Sequence, residues 1–464
     1  MEGTFAAALQ ERRQAEGLSL RELSAVVRYS AGWLSRIARG KGTPTLALAE
    51  ACDEALGAGG ELLALARAEL AGTARPEQLP LATSTFVGRA EALSALDTAL
   101  TVSQERGMAL TLAVDGPPGV GKSALALHWA HRVAGDFADG VLFADLRGHR
   151  AGVEPADPGD VLGAFLTGLG VANPPKSADD RAAMFRTAAA QRRLLMVLDG
   201  AVDTAQVRQL LPGAAGSTVV VTSRRRLTGL AVATGARRVS LAPMSHQESL
   251  VLLRTVLGAA RVDAEPAAAD ALARHCAHLP LALRITAEQL ATHPHRPLSH
   301  AVDELAEAGL DAMSDHEDPQ LAVRAAFDLS YGELRPDVAR TFRLLGLAPA
   351  ARISAKAVAA LTGESLVRTR RNLDELVARH LLDETALDLY RTDALLHAYA
   401  REKAEAEDAE AAPGATPAAA PGAVPGPVTA GAGVEVSGVK VPGIAVPGIT
   451  VAGVEVPGRG RTRV

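Results

Sequence analysis

Gly116-Pro117-Pro118-Gly119-Val120-Gly121-Lys122-Ser123 decides the fold of the central part of this chain. The stretch fits G-x-x-x-x-G-K-[ST], a loop whose glycines let successive backbone N–H groups turn toward phosphate oxygens. The apolar run Leu110–Val114 before it reads as a buried strand, and Ala124–Val133 after it reads as a helix. The helix N-terminus adds its partial positive charge. In such a loop Lys122 reaches the β- and γ-phosphates of a nucleotide, and the Ser123 hydroxyl ligates Mg²⁺. Gly116, Gly119, Val120, Gly121, Lys122, Ser123 and Ala124 are therefore the expected phosphate site. A plain glycine–proline turn is the competing reading, and the strand, the Lys-Ser pair and the helix together stand against it.

Around this loop, from Phe86 to about Leu227, helical segments alternate with short apolar runs at Leu110–Val114, Gly140–Ala144, Leu194–Leu198 and Thr218–Val221. That alternation predicts an α/β unit with a parallel sheet, bounded at residues 86–232. Arg193-Leu194-Leu195-Met196-Val197-Leu198-Asp199 is an apolar strand ending in a carboxylate, the Walker B pattern, so Asp199 joins Ser123 as an expected Mg²⁺ holder. Residues 71–85, with Pro76 and Pro80, read as a linker. Residues 233–305 read as a helical domain, and 317–405 as mostly helical again.

Composition bounds the rest. A chain of 464 residues is too long for one core, and three or so domains are expected. The formal net charge of −5 carries no global nucleic-acid signature. The two cysteines, Cys52 and Cys276, are far apart and argue against a disulfide framework. No signal pattern and no membrane-length apolar window appears, so a cytoplasmic protein without membrane contact is expected. From residue 406 onward the chain is Ala/Pro/Gly-rich, and Gly433, Gly438, Gly443, Gly448, Gly453 and Gly458 recur at a strict spacing. These pentads resemble elastin-like repeats and are expected to form a disordered tail, with a solenoid of stacked pentads as the alternative.

Further motifs narrow the central unit. Phe86-Val87-Gly88-Arg89 sits where the chain enters it, Val219-Val220-Val221-Thr222-Ser223-Arg224 is a strand ending in polar groups, and His278-Leu279-Pro280-Leu281-Ala282-Leu283 lies in a helical segment. In this order, over about residues 76–402, the motifs resemble the NB-ARC branch of the STAND NTPases. The resemblance implies ATP/ADP as cofactor with Mg²⁺, and a winged-helix module over 317–405. It places Val87, Gly88 and Arg89 beside the adenine, Arg224 as the sensor of the γ-phosphate, and Pro280 against base and ribose. Relatives carry a Met/Phe-His-Asp motif that reaches the β-phosphate. Here Tyr390-Arg391-Thr392-Asp393 matches it, with Asp393 kept and Thr392 in place of the histidine. Many relatives also carry an acid directly after the Walker B aspartate, where this chain has Gly200, and Asp203 is the nearest carboxylate. Weak hydrolysis is therefore expected, with Lys122, Asp199 and Arg224 as its catalytic groups and the nucleotide acting mainly as a conformational latch.

The first 70 residues read as a compact helical unit. Ser19 caps a helix with Glu22 at the capping-box position, and Ser30 caps the next, which carries Leu34 and Ile37. Leu18-Ser19-Leu20-Arg21-Glu22-Leu23-Ser24 and Ser30-Ala31-Gly32-Trp33-Leu34-Ser35-Arg36-Ile37-Ala38-Arg39-Gly40-Lys41 resemble the Cro/C1 repressor-type, or XRE, helix-turn-helix. Between Arg12 and Lys41 seven basic residues face two acidic ones, the local footprint of a DNA reader. In this motif the helix beginning at Ser30 enters the major groove, which brings Ser30, Ala31 and Trp33 to it. Arg36 is the expected base contact, and Arg21, Arg39 and Lys41 the expected phosphate contacts. Trp33 reads rather as a wedge between helices. Arg28 occupies the turn position where glycine is common, and Arg368, Arg370 and Arg371 read as a solvated helix face rather than a second DNA contact.

The combined expectation is a transcriptional regulator that binds operator DNA, is switched by ATP/ADP, forms a homo-oligomer in the ATP state, and answers to a signal the sequence does not name. The alternative is a signalling or defence NTPase whose N-terminal unit binds protein. A GTPase is disfavoured because no Asn-Lys-x-Asp motif occurs, and a small-molecule kinase because no phosphoryl-acceptor site is evident.

Overall fold

The computed structural model describes residues 4–42, 44–72, 75–148, 152–315, 317–348 and 352–411. The pentad tail lies outside the described residues. No helix among them is long and apolar enough to cross a membrane.

The N-terminal unit is five helices: α1 Phe5–Ala15, α2 Leu20–Val27, α3 Ala31–Ala38, α4 Leu46–Ala55 and α5 Glu61–Gly72. Side-chain caps start the first four. The Thr4, Ser30 and Thr45 oxygens accept from backbone N–H groups, and Ser19 and Glu22 form the reciprocal capping box. Arg28 ends α2 at φ 58°, a left-handed position that arginine takes here without glycine's freedom. Phe5, Leu9, Leu23, Leu34, Ile37, Leu48 and Leu62 close into one buried core. Leu34 is fully buried in it, so Leu34→Ala is expected to destabilise the unit by about 2–5 kcal/mol. A loss of the helical thermal transition at lower temperature checks this. A change within about 0.5 kcal/mol, the range for surface sites, would remove Leu34 from the core.

The central unit begins with α6 Ala90–Glu105 and runs β1 Leu110–Asp115, α7 Lys122–Val133, β2 Val141–Asp145, α8 Pro158–Gly168, α9 Ala178–Ala189, β3 Leu195–Ala201, α10 Thr204–Leu210, β4 Thr218–Ser223, α11 Thr228–Thr234 and β5 Arg237–Ser240. The strands form one parallel sheet in the order β2-β3-β4-β1-β5. Strands β1, β3 and β4 are buried along nearly their whole length, as apolar runs covered by helices on both faces must be. The sheet reaches past residue 232, where the sequence reading ended it. Strand β5 is short and rich in arginine and lacks the apolar run that marks the others. The linker reading of 71–85 also changes at its second half. Val141 N–H donates to Pro76 O at 2.7 Å and Gln78 N–H to Val141 O at 3.2 Å, so the incoming chain extends the β2 edge. Gly140 permits this approach, since a Cβ there would stand 2.5 Å from Pro76 O.

Helices α12 His246–Leu257, α13 Ala259–Ala264, α14 Pro266–His275, α15 Pro280–Ala291 and α16 Leu298–Ala308 follow. The last module is α17 Val323–Gly332, α18 Pro336–Leu347, β6 Arg352–Ser354, α19 Ala355–Thr362, α20 Leu366–Ala378, β7 Asp383–Ala386, β8 Leu389–Arg391 and α21 Ala394–Ala411, with its three strands antiparallel in the order β6-β8-β7. One hydrophobic core runs from Leu112 and Trp129 through Leu283 to Phe327, Phe342 and Tyr399, joining sheet, helical region and winged module. Arg368, Arg370 and Arg371 of α20 are exposed, and the first two are ion-paired. Arg368 meets Glu364, and Arg370 meets Asp388.

Candidate functional site

The glycine-rich loop leaves the C-terminal end of β1, a central strand, and feeds directly into α7. Gly119 and Gly121 take φ values of 77° and 92°, a left-handed backbone that side chains disfavour. Gly119 is further constrained by α15, since a Cβ on it would lie 3.0 Å from the Leu281 Cβ. Leu281 N–H donates to Gly119 O at 3.2 Å, so the Pro280 end of α15 rests on the loop.

A cavity of about 420 Å³ opens over this loop. Of the residues expected at the phosphate and adenine ends, Val87, Arg89, Gly119, Val120, Gly121, Lys122, Ser123, Ala124, Arg224 and Pro280 all line it. Gly88 and Gly116 do not. Gly116 lies on the far side of the loop, where a Cβ would stand 2.6 Å from Leu241 O. Lys122 Nζ donates to Gly116 O and Pro117 O at 2.9 Å each, closing the loop on itself. Burial and the neighbouring Arg224 guanidinium push this amine down to about 7. A polyphosphate beside it would favour its charged form.

Asp199 is buried just beneath the cavity. Its Oδ1 accepts from Thr222 Oγ1 at 2.6 Å, and the same hydroxyl accepts from Gly200 N–H at 2.8 Å. Gly200 and Thr222 form the wall above it. Gly200 has φ 72°, so the position where relatives carry an acid here takes a left-handed backbone. Asp203 caps α10 by accepting from Gln206 N–H at 2.8 Å and does not face the cavity. No aspartate or glutamate is among the cavity-lining residues described. Ser123 and Asp199 are the hydroxyl and carboxylate that would hold a divalent ion bound mostly by phosphates and water.

Two of the lining arginines also make bonds within the fold. Arg89 is structural: its Nη1 donates to Ala242 O at 2.6 Å, its Nη2 to Val120 O at 2.8 Å, and its backbone N–H to Glu248 Oε1 at 2.6 Å. Arg224 lines the cavity, but its Nη1 donates to Ala326 O at 3.0 Å on α17, within the winged module. Burial pushes this guanidinium down to about 10. Asp393, expected at the nucleotide, is not among the residues of this cavity. It lines a second cavity with Thr392, and its Oδ1 accepts from Leu395 N–H at 3.0 Å at the start of α21. The β-hairpin before it sets this position, and no sequence signal gives its distance from the loop.

Sequence reasoning also missed Thr83, Thr85, Gly148, Ala201, Met244, Leu252 and Arg284, which line the cavity as well. Arg284 follows Pro280 by one helical turn, a spacing that places both on one face of α15 and so was legible. Phe86, at the cavity edge, stacks on His128 with ring centroids 4.1 Å apart.

In the N-terminal unit Ser30 accepts from Trp33 N–H at 3.3 Å and Ala31 opens α3. Trp33 is half-buried against Tyr29, with centroids 5.4 Å apart, which favours its reading as a wedge. Arg21, Arg36, Arg39 and Lys41 are exposed, and Arg39 Nε donates to Ser35 O at 2.9 Å. Arg12 is occupied by Glu61 and Arg13 by Leu18 O, so between Arg12 and Lys41 the cations left on the surface lie at α2, α3 and the turns that end them.

Residues 4–66 match the family model described as a helix-turn-helix domain. The N-terminal unit is a helix-turn-helix domain. Over a longer span the chain is similar to the regulatory protein AfsR of Streptomyces coelicolor, 42% identical over 352 residues, covering 74% of this chain and 35% of that protein. It is likewise similar to the regulatory protein AfsR of Streptomyces griseus, 40% identical over 336 residues, covering 72% and 34%. The chain thus spans about a third of the length of the curated relatives it matches. Among solved structures it is similar to a Signal Transduction ATPase with Numerous Domains protein with a tetratricopeptide repeat sensor from Pyrococcus horikoshii, with TM-score 0.34, 16% identity, and coverage of 72% of this chain and 45% of that one. It is also similar to the ORC2 protein of Aeropyrum pernix, with TM-score 0.42, 16% identity, and coverage of 71% and 96%. In this chain the helix-turn-helix domain is followed by the glycine-rich loop with its strand and helix in place.

Proposed function

We propose that this chain is a transcriptional regulator that binds operator DNA through its helix-turn-helix domain and is switched by ATP and ADP at the P-loop cavity. One observation carries the switch. Arg224 borders the phosphate loop and at the same time holds α17 of the winged module through Ala326 O. A γ-phosphate that attracted this guanidinium would withdraw it from that carbonyl, so occupancy and domain closure compete for one side chain. When bound, Mg²⁺–nucleotide supplies the charge that Lys122, Ser123, Asp199 and Arg224 are placed to meet.

The absence of a carboxylate from the described cavity lining supports weak hydrolysis and a latch role. The exposed cations on α2 and α3 support the DNA reading, as does the similarity to the AfsR regulatory proteins. Opening would let protomers associate, and linked DNA-binding units gain affinity through effective concentration. Domain limits of 1–70, 86–240, 241–312 and 317–405 describe this machine.

Chromatography of the nucleotide released on denaturing the purified full chain tests the reading. Retained adenine nucleotide, chiefly ADP, is the expected result. A chain that carries none and takes up neither ADP nor ATP with magnesium would overturn it.

A further inference from the structure

Away from the P-loop cavity, one buried polar contact joins the winged module to the sheet. His380 stands in the turn between α20 and β7 at φ 54°, a left-handed backbone uncommon outside glycine that marks an imposed conformation. Its Nε2 lies 3.0 Å from Oδ1 of Asp115, with the two side chains only 6% and 2% exposed. Asp115 is the last residue of β1 and directly precedes Gly116. Ser240 Oγ donates to the same Oδ1 at 2.7 Å, and Arg238 Nε stands 3.7 Å from Oδ2. Two residues before His380, Ala378 O accepts from Arg226 N–H at 2.9 Å, which fixes the approach of this turn to the sheet.

The contact is tight and yet able to break. His380 Nε2 and Asp115 Oδ2 are both buried without a well-aligned hydrogen bond. A second cavity of about 510 Å³, lined by Pro117, Pro118, Arg226, His380 and Thr392 among others, flanks the imidazole and leaves it room to swing away. Thr392 opens onto this second cavity and does not line the first.

We propose that His380 holds the closed arrangement through Asp115, at the root of the phosphate loop, in place of a direct contact from residue 392 to the nucleotide. The proposal rests on the switch reading above and supplies its mechanical link. Asp115 is a buried carboxylate, and removing His380 leaves it short of a partner. The next residue, Gly116, holds Lys122 Nζ through its carbonyl oxygen at 2.9 Å. Withdrawal of His380 frees Asp115 to shift at the point where β1 enters the loop, and so loosens the phosphate end of the site. His380 is a positioning residue, since it touches the strand and not the nucleotide.

The test uses the full chain loaded with a fluorescent N-methylanthraniloyl derivative of ADP and magnesium. Release rates are compared for the natural sequence, His380→Asn, Asp115→Asn and the double variant. Asparagine tolerates the left-handed backbone but is too short to hold the contact. Each single change is expected to speed release about tenfold or more, and the double change no further, because both remove one interaction. Melting temperatures near that of the natural sequence would separate this from unfolding. Release within about twofold of the natural rate in both singles, or effects that multiply in the double, would overturn the proposal. Hydrogen exchange of residues 110–118 gives a readout without nucleotide. If the natural chain binds no nucleotide, the switch reading fails alone, and faster exchange there in His380→Asn still supports the contact. Unchanged exchange overturns it.

Discussion

Lys122→Ala is expected to weaken binding of Mg²⁺–ADP and Mg²⁺–ATP by about 2–5 kcal/mol, roughly thirtyfold to several thousandfold in Kd. The size follows from where the amine sits. It closes the loop over Gly116 O and Pro117 O, at the start of a helix whose backbone dipole already favours anions. Removing the one side-chain cation of the loop leaves the phosphates facing backbone N–H groups alone. The fold should survive the change. Burial disfavours the charged form of this amine, so the protein gives up a costly group along with two hydrogen bonds. Calorimetric titration of the natural and altered chains checks the affinity, and a melting temperature within a few degrees of the natural one is expected beside it. Unaltered affinity would place the nucleotide elsewhere than in this cavity.

Arg36→Ala carries the second large effect, on DNA. Arg36 lies exposed on α3, one turn on from the helix start, with its backbone carbonyl accepting from Lys41 N–H at 2.9 Å. A guanidinium placed there can fork onto guanine O6 and N7, an interaction worth about 1–3 kcal/mol of discrimination. Affinity for a duplex selected from random sequence should therefore fall roughly fivefold to a hundredfold and more, and preference at one base pair should relax. Lys41→Ala should behave differently. Removing a phosphate-binding ammonium there lowers affinity for all sequences alike and reduces the salt dependence by about one unit of slope. If Arg36→Ala instead weakens all duplexes evenly, Arg36 is a phosphate contact. If the natural chain binds no duplex in a salt-sensitive way, the N-terminal unit recruits protein.

Much of this architecture could be read in the residues because local chemistry fixed it. The capping box of Ser19 and Glu22, the Ser30 cap and the apolar faces around Leu23, Leu34 and Ile37 specify the N-terminal helices. The apolar runs of β1, β3 and β4 and the glycine-rich loop specify the P-loop unit. Strand β5 escaped because Arg237, Arg238 and Ser240 carry no apolar pattern, and its place is set by pairing with β1. The cavity was legible wherever residues follow the loop along the chain, as Lys122, Ser123 and Ala124 do. It was illegible where tertiary approach decides. Arg89 spends its guanidinium on the carbonyls of Ala242 and Val120, partners far away in sequence. Asp393 sits on a hairpin that carries it to a different cavity, while His380, which no motif marked, takes the contact with the root of the loop.

The central claim, that occupancy of the P-loop cavity governs DNA binding, is tested most directly by one affinity comparison. The full chain is titrated with its selected duplex at fixed salt, once saturated with Mg²⁺–ADP and once with a non-hydrolysable Mg²⁺–ATP analogue. Affinity tighter in the ATP-like state by about 5- to 150-fold, the usual span of coupling between two sites, is the predicted result. Equal affinities in the two states, with both nucleotides shown to be bound, would contradict the account.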